Sequence, residues 1–109
     1  MPRGTGYVVV FVTASSNEEA RKIADVVLSK RKAACVTIVS GVASSFWWKG
    51  TIDAAEEDLL IIKTKASVLP ELNALVKSVH SYEVPEILAL PVIGGNDEYL
   101  KWLEAEVKG

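Results

Sequence analysis

The clearest candidate for chemistry is a histidine that precedes two carboxylates within one short segment. His80 is the only histidine of the 109 residues, and Glu83 and Glu86 follow it in the string SVHSYEVPE. An imidazole beside carboxylates can bind a divalent cation. We therefore treat His80, Glu83 and Glu86 as a candidate weak site for copper or zinc. The alternative is a histidine that is held by hydrogen bonds at an interface, without a metal.

The rest of the sequence carries no recognisable catalytic motif. It contains no Gly-rich phosphate loop, no H-E-x-x-H, no G-x-S-x-G and no C-x-x-C. His80 and Glu86 could act as acid and base, but no nucleophile or cofactor motif accompanies them. We therefore expect that the protein is not an enzyme.

The number of cysteines limits the kinds of cross-link and metal site that the chain can form. Cys35 is the only cysteine, which excludes an internal disulfide and a zinc site built from several thiolates. Its neighbours are apolar, and a buried cysteine usually behaves as a small hydrophobic residue. We predict a structural role for Cys35.

The composition predicts one globular domain over residues 1–109, with enough apolar residues for one core. The net charge of −2 disfavours non-specific binding to nucleic acid. The longest apolar runs, Tyr7–Val12 and Leu59–Ile62, are far shorter than the roughly 20 residues that cross a bilayer. The first residues, MPRGTG, contain no apolar signal-like segment. We therefore expect residues 1–6 to be flexible and the protein to be cytoplasmic, with neither nucleic acid nor membrane as a partner.

Residues 34–65 predict two unusually long strands that are joined by a turn at Lys49-Gly50. Each strand is roughly 13–15 residues long, against a usual 5–6, and would span nearly 50 Å at about 3.3 Å per residue. A globule of this size is only about 35 Å across. Gly41 and the small residues after it predict a bulge or bend. The hairpin should therefore bend sharply or project onto another molecule.

The whole chain predicts the order β-α-β-β-α-β followed by a terminal helix. The predicted elements are a strand over 7–13, a helix from the Ser16-x-x-Glu19 capping box to about Lys32, the hairpin, a helix from about Ser67, a loop over 80–85, a strand over 86–93 and a helix capped by Asn96. This order is that of the α+β ferredoxin-like split βαβ fold, in which two helices cover one face of four antiparallel strands.

Both faces of the predicted strands are apolar, although two helices can cover only one face. In the first strand the two sets are Val8, Val10 and Val12 against Val9 and Phe11. An uncovered face normally alternates polar and apolar residues. Exposing an apolar face is unfavourable by about 25 cal/mol per Å². We therefore predict that copies of the chain cover this face for one another.

Several strings taken together resemble one protein family. They are KRKAACVTIVSGVASSFWWKGTID, LLIIKTK, SVHSYEVPEILALPV and YLKWL, in this order within about residues 7–107. The chain resembles the CutA divalent-cation tolerance family. The resemblance implies a homotrimer in which the long hairpin reaches over a neighbouring subunit, and a role in tolerance of copper and other divalent cations. It also implies a likeness to the trimeric nitrogen-regulatory signalling proteins, so a small-molecule-sensing module is the alternative function.

The resemblance also implies two sites. The copper ligands of the family, a cysteine and two adjacent histidines, fall on Val12, Val79 and His80, so we do not expect a copy of that copper site. The inter-subunit pocket of the family falls on Cys35, Trp48, Lys63, His80, Tyr82 and Glu86. Lys63 and Glu86 could hold a small anion or metabolite between aromatic walls, or they could form an interfacial salt bridge.

The predicted hairpin also carries an acidic run and two tryptophans. Glu56, Glu57 and Asp58 form an acidic run, which we interpret as a solvated face that discourages edge pairing. A weak cation-binding patch is the alternative. Trp47 and Trp48 lie at the hairpin tip, where we expect them to pack on a neighbouring subunit.

Overall fold

The sheet and its helices follow the predicted order. The computed structural model describes residues 4–109, with the elements β1 (Tyr7–Ala14), α1 (Asn17–Ser29), β2 (Cys35–Trp48), β3 (Thr51–Lys65), a short 3₁₀ turn (Ala66–Val68), α2 (Leu69–Val79), β4 (Ile87–Pro91) and α3 (Asp97–Glu106). All neighbouring strands are antiparallel, in the order β2-β3-β1-β4. The predicted α+β ferredoxin-like fold is confirmed.

The long hairpin is also confirmed. β2 has 14 residues and β3 has 15, and they pair almost along their full lengths. The turn uses Lys49 and Gly50, both with positive φ, 50° and 83°. The molecule measures 43 Å along its longest axis. The end of this hairpin carries exposed aromatic side chains, of which Trp47 is 72% exposed.

A bulge interrupts β2 where the hairpin leaves the body of the domain. The register shifts between Val39 and Val42, because β2 advances three residues there while β3 advances two. Gly41, in the bulge, has a φ of 72°, a conformation that favours glycine. The carboxylate of Asp58 accepts hydrogen bonds from the Gly41 N–H at 3.2 Å and from Asn17 Nδ2 at 2.9 Å. The predicted bulge therefore exists, and a buried aspartate holds it to the start of α1.

The core lies between one face of the sheet and the helices α1 and α2. The sheet contributes side chains that alternate along the inner strands, since every second residue points to the helices. These fully buried residues include Val10, Val12, Leu60 and Ile62 from the strands and Ile23, Val27, Leu72 and Val76 from the helices. A smaller cluster forms where α3 packs Leu103 and Val107 on Val68.

The opposite face of the sheet, which we call the open face, is apolar and only partly covered. Its residues Val9, Phe11 and Ile61 are half-buried, while Leu88 and Leu90 on β4 are 57% and 43% exposed. The register places them side by side across β3, β1 and β4. The predicted excess of apolar sheet surface is therefore present in a single chain.

Some boundaries differ from the prediction. α1 ends at Ser29 rather than near Lys32, because Arg31 adopts a left-handed conformation with a φ of 60°. β4 ends at Pro91 rather than at residue 93, although the Val92 N–H still donates a hydrogen bond to the Tyr7 carbonyl at 3.0 Å. Of the predicted flexible segment 1–6, residues 1–3 lie outside the described residues, and Thr5 donates two hydrogen bonds to the Val92 carbonyl. Within residues 4–109, no helix has the length and apolar character needed to cross a membrane.

Candidate functional site

The His80 ring lies inside the domain and is bonded on both nitrogens. Its side chain is 0% exposed. Nδ1 accepts a hydrogen bond from the Tyr82 N–H at 3.0 Å, so the ring proton belongs on Nε2, which donates to the Thr13 carbonyl at 2.7 Å. This is a neutral imidazole, and the Glu19 carboxylate 3.7 Å from Nδ1 therefore does not form an ion pair with it. His80 holds the loop after α2 against the end of β1.

Tyr82 extends from this loop to the hairpin. Its ring lies 4.7 Å from the His80 ring, and its hydroxyl donates a hydrogen bond to Glu57 Oε2 at 2.7 Å. Burial, followed by the bond to this carboxylate, raises the pKa of Tyr82 well above its ordinary value. Tyr82 is therefore a neutral donor that ties the loop to β3.

Glu19, at the start of α1, holds the same loop from the other side. Its carboxylate accepts hydrogen bonds from the Ser81 N–H at 2.8 Å and from the Ser15 N–H at 2.9 Å. Burial alone would raise the pKa of Glu19, but the hydrogen bonds from Ser81 and Ser15 outweigh burial and lower it. The predicted capping box is only partly formed, because Ser16 caps the Glu19 N–H while the Glu19 side chain turns to its neighbours.

A cleft of about 820 Å³ opens between the loop and the hairpin. Its lining is aromatic and acidic, and none of its described lining residues is basic. These side chains are Phe46, Trp48, Tyr82, Asp53, Glu57, Glu83 and Glu86. Such a lining is suited to a cation or to a positively charged segment rather than to an anion.

The structure separates five of the six residues of the predicted inter-subunit pocket into two groups, while the sixth, His80, is buried beside Tyr82 and does not line the cleft. Trp48, Tyr82 and Glu86 line the cleft, together with Glu83. Cys35 and Lys63 face each other across β2 and β3 at the other end of the open face, with Lys63 Nζ 3.7 Å from Cys35 Sγ. One chain therefore does not bring all the members of that pocket together.

The candidate metal ligands are likewise not gathered within one chain. Glu83 and Glu86 are exposed in the cleft, whereas both nitrogens of His80 are bonded to the backbone. Within residues 4–109, no three His, Cys, Asp or Glu side chains lie close enough together to hold a metal ion.

The prediction that the acidic run on β3 forms a solvated face is wrong. Glu57 is 6% exposed and Asp58 is 7% exposed, and only Glu56 points into solvent. The run lies where β3 is still covered by the loop on one face and by α1 on the other. Strand alternation was the available signal, since Asp58 continues the buried series of Leu60 and Ile62.

Two known relatives match most of this chain. "Protein CutA 1, chloroplastic" of Oryza sativa is 46% identical over 97 residues, which cover 89% of this chain and 55% of the relative. "Divalent-cation tolerance protein CutA" of Thermus thermophilus is 47% identical over 95 residues, with 87% and 92% covered. The chain thus spans little more than half the length of the plant relative and nearly all of the bacterial one.

Solved structures agree over almost the whole chain. The divalent cation tolerance protein from Thermus thermophilus superimposes with a TM-score of 0.92 at 44% identity, covering 94% of this chain and 99% of that one. The periplasmic divalent cation tolerance protein CutA from Archaeoglobus fulgidus gives a TM-score of 0.90 at 41% identity, with the same coverage.

The predicted cytoplasmic location is wrong. The Oryza relative is named chloroplastic, and the Archaeoglobus structure is named periplasmic. A segment such as MPRGTG therefore does not indicate the compartment in which a protein of this kind works.

The four sequence strings that resemble the CutA family all lie within the residues that a family model matches. The model of the CutA1 divalent ion tolerance protein matches residues 8–106, which include the hairpin, the His80 loop and α3. Relatives more than 40% identical over most of the chain carry the same family name. The chain is a member of the CutA1 divalent ion tolerance family.

Proposed function

We propose that the protein acts in divalent-cation tolerance as a homotrimer, without catalysing a reaction, and that it binds copper or zinc weakly. The observation that carries the proposal is the open face of the sheet. Leu88, Leu90 and Val39 there are more than 40% exposed, and Phe46 and Trp48 continue the apolar surface onto the hairpin. Other copies of the chain supply the cover that this surface requires.

Weak rather than tight metal binding follows from the state of His80. A metal could bind this ring only by displacing the hydrogen bond to Thr13 or the one from Tyr82. That leaves Glu83 and Glu86, which are exposed in the cleft, as the accessible members of the predicted set. Two carboxylates without an imidazole form a site of low affinity and low selectivity.

Isothermal titration with copper and with zinc tests the metal part of the proposal. We expect weak binding to the wild-type protein, no change in His80→Ala, and loss of binding in the double variant Glu83→Gln, Glu86→Gln. Glu71→Gln, on the exposed side of α2, is the matched control and should bind as the wild type does. Negligible heats for every protein would remove direct metal binding from the proposal.

Tolerance itself is tested in cells. A bacterial strain that lacks its own CutA-family protein should regain growth in raised copper when it expresses the wild-type chain. A variant that cannot assemble should restore less growth at the same protein level. Equal growth with and without the chain would contradict a role in tolerance.

A small-molecule-sensing module stays the alternative. The observation that favours it is the cleft, where Trp48 and Tyr82 could stack on a ligand. A thermal-shift screen of nucleotides and metabolites separates the two functions. If a metal raises the melting temperature and no metabolite does, the result supports the role in divalent-cation tolerance.

A further inference from the structure

Glu57 is a buried carboxylate that has no positively charged partner among residues 4–109. It is 6% exposed, and its one described partner is the neutral hydroxyl of Tyr82 on Oε2. Among residues 4–109, no lysine, arginine or histidine nitrogen lies within ion-pair distance of this carboxylate. Burying a charge is unfavourable unless an opposite charge and hydrogen bonds compensate. No basic side chain among residues 4–109 therefore neutralises the negative charge of Glu57.

Lys63 is the complementary case at the other end of the open face. It is half-buried, and its Nζ donates to Thr37 Oγ1 at 2.6 Å and lies beside the thiol of Cys35. No described carboxylate lies within ion-pair distance of it. Lys65, two residues further along β3, does find a carboxylate, that of Glu104 at 2.9 Å. Of these two lysines on β3, therefore, only Lys63 has no carboxylate partner among residues 4–109.

The two charges cannot meet within one chain. Glu57 and Lys63 lie six residues apart on β3, on the same face because side chains alternate along a strand. At about 3.3 Å per residue, they are separated by about 20 Å. Between them lie Leu59 and Ile61, half-buried members of the open face. A second copy that covers this apolar strip would reach both charges.

We propose that Glu57 of one copy pairs with Lys63 of a second copy, so that the acidic cleft is complete only in the assembly. This inference rests on the proposed homotrimer. Each chain has one Glu57 carboxylate and one Lys63 ammonium group. A closed ring of three copies therefore forms three pairs, in which every one of these charges has a partner. Glu86, the partner that the sequence suggested for Lys63, is exposed and does not need a cation.

Charge reversal tests the pairing. Glu57→Lys and Lys63→Glu should each raise the dissociation constant of the assembly on the order of 10²-fold, since each places like charges together. The double variant should recover most of this loss. Glu56→Lys, on the opposite and exposed face of β3, and Lys77→Glu, on α2, are the matched controls and should assemble as the wild type does. Circular dichroism of every variant separates loss of assembly from loss of folding.

Cross-linking of the wild-type protein gives a second, independent measurement. A carbodiimide joins only carboxylates and amines that are in contact, so a link between Glu57 and Lys63 would have to connect two chains. We expect mass spectrometry to find this link in the cross-linked trimer. A wild-type trimer with no such link, and with no recovery in the double variant, overturns the pairing and leaves the proposed function standing. A wild-type protein that is a folded single chain overturns the proposed assembly itself.

Discussion

The hydroxyl of Tyr82 donates a 2.7 Å hydrogen bond to the carboxylate of Glu57, and this bond joins two parts of the chain that are 25 residues apart. Tyr82 belongs to the loop after α2, and Glu57 belongs to β3 at the base of the hairpin arm. The same loop is held by His80 on the end of β1 and by Glu19 at the start of α1. The position of the cleft therefore depends on a small set of buried polar contacts.

Removing the Tyr82 hydroxyl should destabilise the protein. Tyr82→Phe leaves the buried carboxylate of Glu57 without its donor, which should lower the free energy of unfolding by about 1–3 kcal/mol. Urea unfolding at pH 7 and at one fixed protein concentration measures this loss of unfolding free energy. Tyr7→Phe is the control. The Tyr7 hydroxyl donates to the exposed Glu104 at 3.1 Å, so its removal should lower the unfolding free energy by a smaller amount. Equal losses in the two variants would contradict the account.

Tyr82 should also make stability fall at alkaline pH. Burial and the bond to Glu57 raise its pKa in the folded state, so the unfolded chain releases this proton first. The stabilising contribution is fully present below about pH 10, the ordinary pKa of tyrosine, and is lost as the pH rises toward the raised value. The difference in unfolding free energy between wild type and Tyr82→Phe should therefore shrink above pH 10. A constant difference between pH 7 and pH 11 would argue against a raised pKa.

Much of the fold follows from local patterns in the sequence. Strand alternation and helical spacing predict the element order, and the small residues around Gly41 predict the bulge. Apolar residues on both strand faces predict the open face. These features are set by residues that are close in sequence, and a single sequence displays them directly.

The site was less predictable because its contacts are distant in sequence. His80 bonds Thr13 across 67 residues, and Tyr82 bonds Glu57 across 25. The path of the loop decides both contacts, and nothing in the string SVHSYEVPE specifies that path. The burial of Glu57 is not predictable from the sequence for the same reason, since a loop from elsewhere in the chain covers this side chain.

Gly41 should be required for its backbone conformation alone. A side chain there would meet no atom within 4 Å, so the effect of Gly41→Ala comes from the φ of 72°. We expect a loss of about 1–2 kcal/mol in unfolding free energy. Gly94→Ala is the matched control, because that position is equally open and has no positive φ. If urea unfolding shows the same stability for both variants, the bulge does not need a left-handed residue.

Asp58 should contribute to the acid sensitivity of the protein. The hydrogen bond from Asn17, followed by that from the Gly41 N–H, lowers the pKa of Asp58 in the folded state. Its stabilising contribution is therefore present above about pH 4, the ordinary pKa of aspartate, and is lost as the pH falls toward the lowered value. Asp58→Asn should show a weaker fall in stability below pH 4 than the wild type. Asp25→Asn, on the exposed side of α1, should keep the wild-type acid profile; an unchanged profile in Asp58→Asn would contradict this role.

Analytical ultracentrifugation of the wild-type protein at micromolar concentration shows whether copies of the chain assemble. We propose that other copies cover the apolar open face of the sheet, on which Leu88 is 57% and Leu90 is 43% exposed. We expect one species with three times the chain mass of 11.8 kDa. A stable, folded species with the mass of a single chain would contradict the account.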